Sequence, residues 1–456
     1  MLGSLLGLPG FAPGLRAATV TVRPGASLPA VLQTLAAGDT LVVNPGLYEG
    51  NLLLDRRIAL MGEEGAVLRG SGTGSVVTIL ADSCVLQGFI VEHSGSRLVD
   101  EDAGILVKSS GNRICNNSFR DILFGIYLLH AGGNEIRGNS IAGRKHLDLG
   151  DRGSGIHIWN SPRNRVVRNT IVDVRDGLYI QNANHTWIEA NRVSGVRYGL
   201  HYMYADSNIF LGNRFSDNVA GAAIMYSRGI IMRHNVFTHN RGFASFGILF
   251  QDCHGLLADS NVIADNVVGM FFEGSTHNQF CDNIIAQNDI ALQMFQNSND
   301  NIITGNNFID NLSPLAIIGK RTGTCWNTSS GGNYWSSYDG YDLDADGVGD
   351  IPMKIQNVFQ YLEGRNANVR LFLYSPASQA LAKSAEAFPI LQINEETDAR
   401  PLMHPRDLGQ MPAVQMMRGE QQAGKRLRRT AWLLFPLVAV ALFGMIVRRQ
   451  NRGIPR

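Results

Sequence analysis

The chain of 456 residues reads as an all-β protein, a right-handed parallel β-helix whose coils repeat about every 22 residues. Three observations predict this fold: a glycine register, an asparagine register that shares its insertions, and short strand pieces of period two. The glycine marker, usually followed by Ile or Leu, falls at Gly104, Gly125, Gly155, Gly177, Gly199, Gly221, Gly247 and Gly269, with Ala291 in line. Asn-x-apolar recurs at Asn117, Asn139, Asn169, Asn191, Asn213, Asn235, Asn261, Asn283 and Asn306. Most steps are 22, and insertions of eight and four residues occupy the same two intervals for both markers. Pieces such as GIHIW, GLYIQ and GILFQ alternate like strands, which excludes helical solenoids, and the leucine-rich frame LxxLxLxxN is absent.

The elements follow in chain order. Residues 1–18 resemble the end of a signal peptide but lack a basic n-region. Ser27 is placed to cap a short helix, LPAVLQTLA, that would close the amino-terminal end of the solenoid. The coils begin at Thr40 to Val43, and the β-helix as a whole is assigned to 19–320. Its interior is predicted from the column Ile114, Ile136, Val166, Ile188, Phe210, Met232, Phe280 and Ile303. Between Asn112 and Asn311 there are 27 asparagines; Asn218, Asn240, Asn266, Asn288 and Asn311 share one repeat position, as a stacked amide ladder requires. Residues 321–390 are a carboxy-terminal cap, 391–430 a Met-containing linker, 431–447 a transmembrane helix and 448–456 a basic tail. The segment AWLLFPLVAVALFGMIV carries no charge and is flanked by arginine clusters, with Trp432 as an interfacial anchor.

Charge narrows the function. The net charge of +1 conceals a tail, Lys425 to Arg456, with eight basic residues and no acid, so the remainder carries 32 basic against 39 acidic residues, or −7. A body of that sign argues against nucleic-acid binding. Five dispersed cysteines (Cys84, Cys115, Cys253, Cys281, Cys325) form neither a disulfide framework nor a zinc spacing, and read as small buried hydrophobes. No GxxxxGK[ST] phosphate loop occurs.

Function on a solenoid lies on its outward columns, because inward ones only pack. Two positions after the register glycine the column reads Leu106, Tyr127, His157, Tyr179, His201, Ala223, Leu249, Phe271, Gln293. Two positions further it reads Lys108, Leu129, Trp159, Gln181, Met203, Met225, Gln251, Glu273, Phe295. Neighbouring coils lie about 4.8 Å apart. Met203 and Met225 therefore stack beside His201, two thioethers and an imidazole that suit Cu(I) rather than zinc. An apolar interface stripe explains the same column equally simply. Carbohydrate chemistry, which needs two carboxylates in a groove, has a thinner basis in the column Asp121, Asp173, Asp217, Asp265, Asp310, which reads as solvated turn residues. Downstream, Asp342, Asp344, Asp346 and Asp350 in DLDADGVGD match the first half of a calcium loop. Met353 replaces the closing Glu, leaving a structural calcium turn and an unmetallated loop both open. Met403, His404, Met411, Met416 and Met417 add soft donors on a presumed tether.

Three segments carry a resemblance: YGLHYMYADSN around His201, GGNYWSSYDGYDLDADGVGDIP from Gly331, and LYSPASQALAKSAEAFPI near Ser375. Together they resemble the NosD family, maturation proteins of nitrous oxide reductase, over roughly residues 20–390. The resemblance implies a non-enzymatic periplasmic protein working with an ABC transporter permease and ATPase. It implies a lipoprotein copper chaperone as donor and the reductase as recipient of Cu(I). The family's LHYMYAD segment falls on Leu200 to Asp206, where the columns place His201 and Met203. Its SPA…AEAFP segment, here Ser375 to Pro389 with Ser375, Pro376, Glu386 and Phe388, is expected to dock on the permease. Many members end soon after that segment, whereas this chain adds the Met-rich stretch and the apolar helix, which implies an anchor in the inner membrane. A β-helix polysaccharide lyase or glycoside hydrolase is the alternative.

Overall fold

The computed structural model describes residues 17–243, 245–319, 321–355, 375, 380 and 396–416. Among these, each coil contributes one short strand to each of three parallel sheets. Sheet A has thirteen strands, from Thr19–Val22 to Ile302–Thr304, and sheet B thirteen, from Gly46–Glu49 to Tyr334–Trp335. Sheet C has twelve, from Leu52–Leu54 to Ser313–Ile318. Every pairing within them is parallel and joins a coil to the next, as in the step Ile188 to Phe210 to Met232. The expected solenoid with coils of about 22 residues is therefore present. Its predicted interior column is fully buried, with Ala258 filling the step between Met232 and Phe280.

Why these residues build coils is visible at two positions. The register glycine is needed for close approach. A Cβ at Gly199 would stand 2.5 Å from the Gly221 carbonyl oxygen and 2.8 Å from the Phe215 ring. That corner packs the backbone of one coil against the next, so a side chain has no room. The register asparagine is an interior ladder rung. Asn213, for example, accepts the Asn191 N–H at 3.0 Å and its Nδ2 at 2.9 Å. It donates in turn to Ile188 O and to Asn235 Oδ1. The left-handed turn lies one residue earlier, at positions such as Asn116, Arg168 and His234. Buried polar groups must be paired, and the amides satisfy the donors left where the chain turns. A second ladder runs Asn218, Asn240, Asn266, Asn288, Asn311.

Both ends depart from expectation. A helix α1, Leu28–Thr34, is present and buries Leu28 and Leu32 in the core, but Ser27 makes no side-chain cap hydrogen bond. Pro29 in the first turn, which needs no N–H partner there, starts the helix instead. At the other end the coil stack does not stop at residue 320. Tyr334–Trp335 extends sheet B, and Trp335 stacks on Phe308 at 4.1 Å.

The segment expected as part of a free linker folds back over 396–416. Thr397–Asp398 pairs antiparallel with Met353–Lys354. Buried Glu396 accepts from Trp326 Nε1 and the Thr322 N–H, and buried Asp398 from Trp335 Nε1 and the Asn333 N–H. Ala413 is buried against Val236, Val262 and Ala264, side chains on the exterior of sheet B. A carboxylate buried among such donors holds a segment in place, which a tether does not do.

Residues 1–16 and the predicted membrane helix 431–447 lie outside the described residues, as do Pro376, Glu386, Phe388 and Met417. Among the described residues no helix is long and apolar enough to cross a membrane. All five cysteines are free thiols, and Cys84, Cys115 and Cys253 are buried as expected. Cys281 is half-buried and Cys325 is exposed, contrary to expectation; Cys325 pairs with Ile302 in an outward-facing column of sheet A.

Candidate metal-binding face

The site is built on the exterior of sheet C. Tyr198–Met203 pairs with Asp176–Gln181 on one side and with Ala220–Arg228 on the other. The pairing sets His201 between Tyr179 and Ala223, and Met203 directly against Met225. The predicted trio is thus on one face of two adjacent coils. His201 and both methionines are half-buried, accessible yet supported.

One supporting residue escaped the sequence reading. Asp176 is fully buried, and its Oδ2 lies 3.3 Å from His201 Nδ1. Arg197 grips the same carboxylate with two bonds, Nε to Oδ1 at 2.9 Å and Nη2 to Oδ2 at 2.8 Å. Burial pushes the Asp176 carboxyl up, but the hydrogen bonds from His201 and Arg197 and the charge of Arg197 outweigh burial and hold it below the usual range. The imidazole is boxed by Tyr179, edge-on at 4.9 Å, and Tyr198 at 5.1 Å. Asp176 immediately precedes Gly177, so the signal was an acid in a column otherwise occupied by Ala103, Phe124, Ser154, Tyr198 and Ala220.

Two tyrosines were also missed. Tyr204 and Tyr226 follow the two methionines, are both exposed, and stack at 4.9 Å with planes 10° apart. Their φ angles of 51° and 53° are costly for a bulky side chain. Other coils place His130, Asn160, Asn182 and Asp252 at this corner. The repeated Met-Tyr pair, 22 residues apart, was the available signal.

The upper part of the first column is not open surface. Tyr127 is fully buried and His157 nearly so. Tyr127 donates to Glu101 Oε1 at 2.6 Å, and Arg144, from the eight-residue insertion, binds Ser94 O, Gly95 O and Ser96 Oγ. These contacts draw the insertion and residues 94–102 together. His157 is stacked between Tyr127 at 4.3 Å and Tyr179 at 4.2 Å, and neither ring nitrogen has a hydrogen-bond partner. Burial, then the charge of Arg175, pulls His157 down to about 3. Beyond His157 the next members of the column, Tyr179 and His201, are both half-buried.

The other predicted residues separate. Asp342, Asp344 and Asp346 converge, with ligand oxygens within 4.8 Å of one another. Asp350 does not join them; its Oδ2 accepts the Leu343 N–H. The Gly347 N–H holds the Asp342 carboxyl below the usual range, while Asp342 Oδ1 has no partner. Met403, His404 and Met411 lie on the folded-back segment, which packs through Ala413 and Met416 on sheet B, whereas Met203 and Met225 lie on sheet C. Of the docking residues only Ser375 is described, as half-buried. Asp121, Asp173, Asp217, Asp265 and Asp310 all have φ near +50°, which makes them left-handed turn residues. Asp121 is paired with Arg144, and Asp265 with Arg241. Asp173 and Asp217 border an open groove of about 670 Å³ between the two insertions, with Lys145, Arg152 and Arg241 on its rim.

Fold and site define a parallel β-helix protein that presents soft donors, backed by a buried carboxylate, on the exterior of one sheet. Residues 133–340 match the family described as periplasmic copper-binding protein (NosD). A probable ABC transporter binding protein NosD of Pseudomonas aeruginosa is 38% identical over 388 residues, covering 81% of this chain and 88% of that protein. Its counterpart in Stutzerimonas stutzeri is 36% identical over 377 residues, covering 78% and 85%. The chain belongs to the NosD family. The A-module of mannuronan C-5 epimerase AlgE6 of Azotobacter vinelandii is a solved structure with 13% identity and a TM-score of 0.48, covering 65% of this chain and 92% of that one.

Proposed function

We propose that this chain is a non-enzymatic periplasmic factor that receives or presents Cu(I) for assembly of the copper centres of nitrous oxide reductase. The observation that carries the reading is the registered pair Met203 and Met225 beside an imidazole held through Nδ1 by a buried carboxylate. Thioethers and a neutral imidazole favour Cu(I), which tolerates low coordination numbers. A rigid sheet keeps the donors in place, and their partial exposure lets copper pass to another protein. The family's description and its relatives' names support copper binding and work beside an ABC transporter.

In this reading a lipoprotein chaperone supplies copper and the permease and ATPase form the transporter, with Ser375, Pro376, Glu386 and Phe388 docking there. The helix 431–447 anchors the protein in the inner membrane, and Asp342, Asp344 and Asp346 take a structural calcium ion. Met403, His404, Met411, Met416 and Met417 form a second, weaker donor set.

Anaerobic Cu(I) titration of the full chain tests this. Tight binding of one copper that is lost in Met203→Ala with Met225→Ala is the expected outcome. Binding left intact by both substitutions overturns the site and moves attention to the Met-rich segment.

The groove holding Asp173 and Asp217 favours a second reading, a polysaccharide lyase or hydrolase. Two coils put these carboxylates about 9.6 Å apart, near the upper limit for acid–base pairs. Turnover of a uronate polymer that disappears in Asp217→Asn would favour it. The turn role already accounts for the whole column, so the copper reading stands first.

A further inference from the structure

We propose that Asp176, clamped by Arg197, is a positioning residue that sets His201 in the tautomer and orientation that binds copper; this rests on the copper reading above. The argument begins with burial. A carboxylate with no exposed surface is expensive unless its oxygens are paired, and an aliphatic residue would fill this place at lower cost. Coils further along do so, with Ala220, Val268 and Ile290 in the same column, while the two adjacent coils place Ser154 and Tyr198 there.

The carboxylate is arranged for one use. Its Oδ1 receives Arg197 Nε, and its Oδ2 receives Arg197 Nη2 and faces His201 Nδ1. Arg175 Nε adds a longer contact to Oδ2 at 3.4 Å. With both oxygens occupied and buried, Asp176 is not itself a ligand. An ionised carboxylate only accepts, so Nδ1 carries the proton and Nε2 is left as the lone-pair donor. A carboxylate behind an imidazole fixes the ring and raises its basicity, and losing such a partner costs about 10–100-fold in metal affinity. Tyr179 and Tyr198 confine the ring from two sides, leaving little rotation.

The test is a double-mutant cycle on the full chain, read as Cu(I) affinity in anaerobic competition with a chromophoric chelator. Asp176→Asn should weaken binding about 10–100-fold, His201→Ala by a similar factor, and the double variant no further than His201→Ala. Copper-free nitrogen-15 NMR of histidine-labelled protein should show the Nδ1–H tautomer at His201, and loss of that preference in Asp176→Asn. Unchanged tautomer and affinity in Asp176→Asn overturn the proposal. So does an equal loss in the His201→Ala background, which would mark a merely structural role. Arg197→Lys, at a partly exposed side chain, gives the same readouts in milder form and decides the matter if Asp176→Asn does not fold. The copper reading fails separately, when Met203→Ala with Met225→Ala retains full affinity; the tautomer result is independent of copper.

Discussion

His157 shows how much a single side chain reveals about its surroundings. It sits between two tyrosine rings with both nitrogens unpartnered, and is neutral throughout the physiological range. Its folded pKa is depressed, so between about 6.5 and about 3 the unfolded chain binds the extra proton. Stability from this residue is therefore present above that window and falls as pH drops through it, by up to about 1.4 kcal/mol per pH unit. His157→Phe keeps the stack and removes the titration. Urea unfolding at about pH 7 and about pH 4 should show the variant gaining on the parent at the lower pH. Parallel losses in the two proteins would refute this account. At the same scale, the sequence indicated His201, Met203 and Met225 because period and register place residues on a common face. It did not indicate Asp176, whose role depends on its contacts with Arg197 and His201 of the next coil.

Between coils, the decisive contacts are amide ladders and close-packed corners. Replacing Asn213 by Ala leaves the Asn191 N–H without its partner inside the solenoid and removes the Nδ2 bond to the Ile188 carbonyl. A loss of about 2–4 kcal/mol in unfolding free energy is expected, measurable by denaturant titration. A change below about 0.5 kcal/mol would mean the ladder is not a stabilising element. The ladder was legible because Asn recurs at a fixed step. The meaning of the register glycine was less so. A count of 50 glycines suggests turns, whereas Gly199 and its equivalents relieve contact between adjacent backbones. The covering of Tyr127 and His157 was not legible at all. It depends on Glu101 and Arg144, distant in sequence and outside the repeat.

Across the whole molecule, a solenoid is stabilised coil against coil, and its ends are where it opens first. The returning segment 396–406 therefore has an effect out of proportion to its length. Asp398→Ala would remove the acceptor of the Asn333 N–H and of Trp335 Nε1, at about 2–4 kcal/mol. Hydrogen exchange should then accelerate first in residues 302–335, while the coils around His201 stay protected; uniform acceleration would count against independent ends. This closure was hidden because it joins residues about 65 positions apart through a carboxylate rather than through the repeat.

The amide ladder also has a direction. From Asn117 through Asn139, Asn169 and onward to Asn306 and Asn333, every rung donates towards the coil made after it, and the run terminates on Asp398. A chain emerging amino terminus first always shows an unsatisfied donor at its growing edge. Each new coil satisfies the donor of the previous one and exposes its own, like a queue in which each member waits for the next. Only when the stretch beyond residue 396 arrives does an acceptor appear that asks for nothing further along the stack. Completion of the solenoid is in this sense reported by its own carboxy-terminal residues.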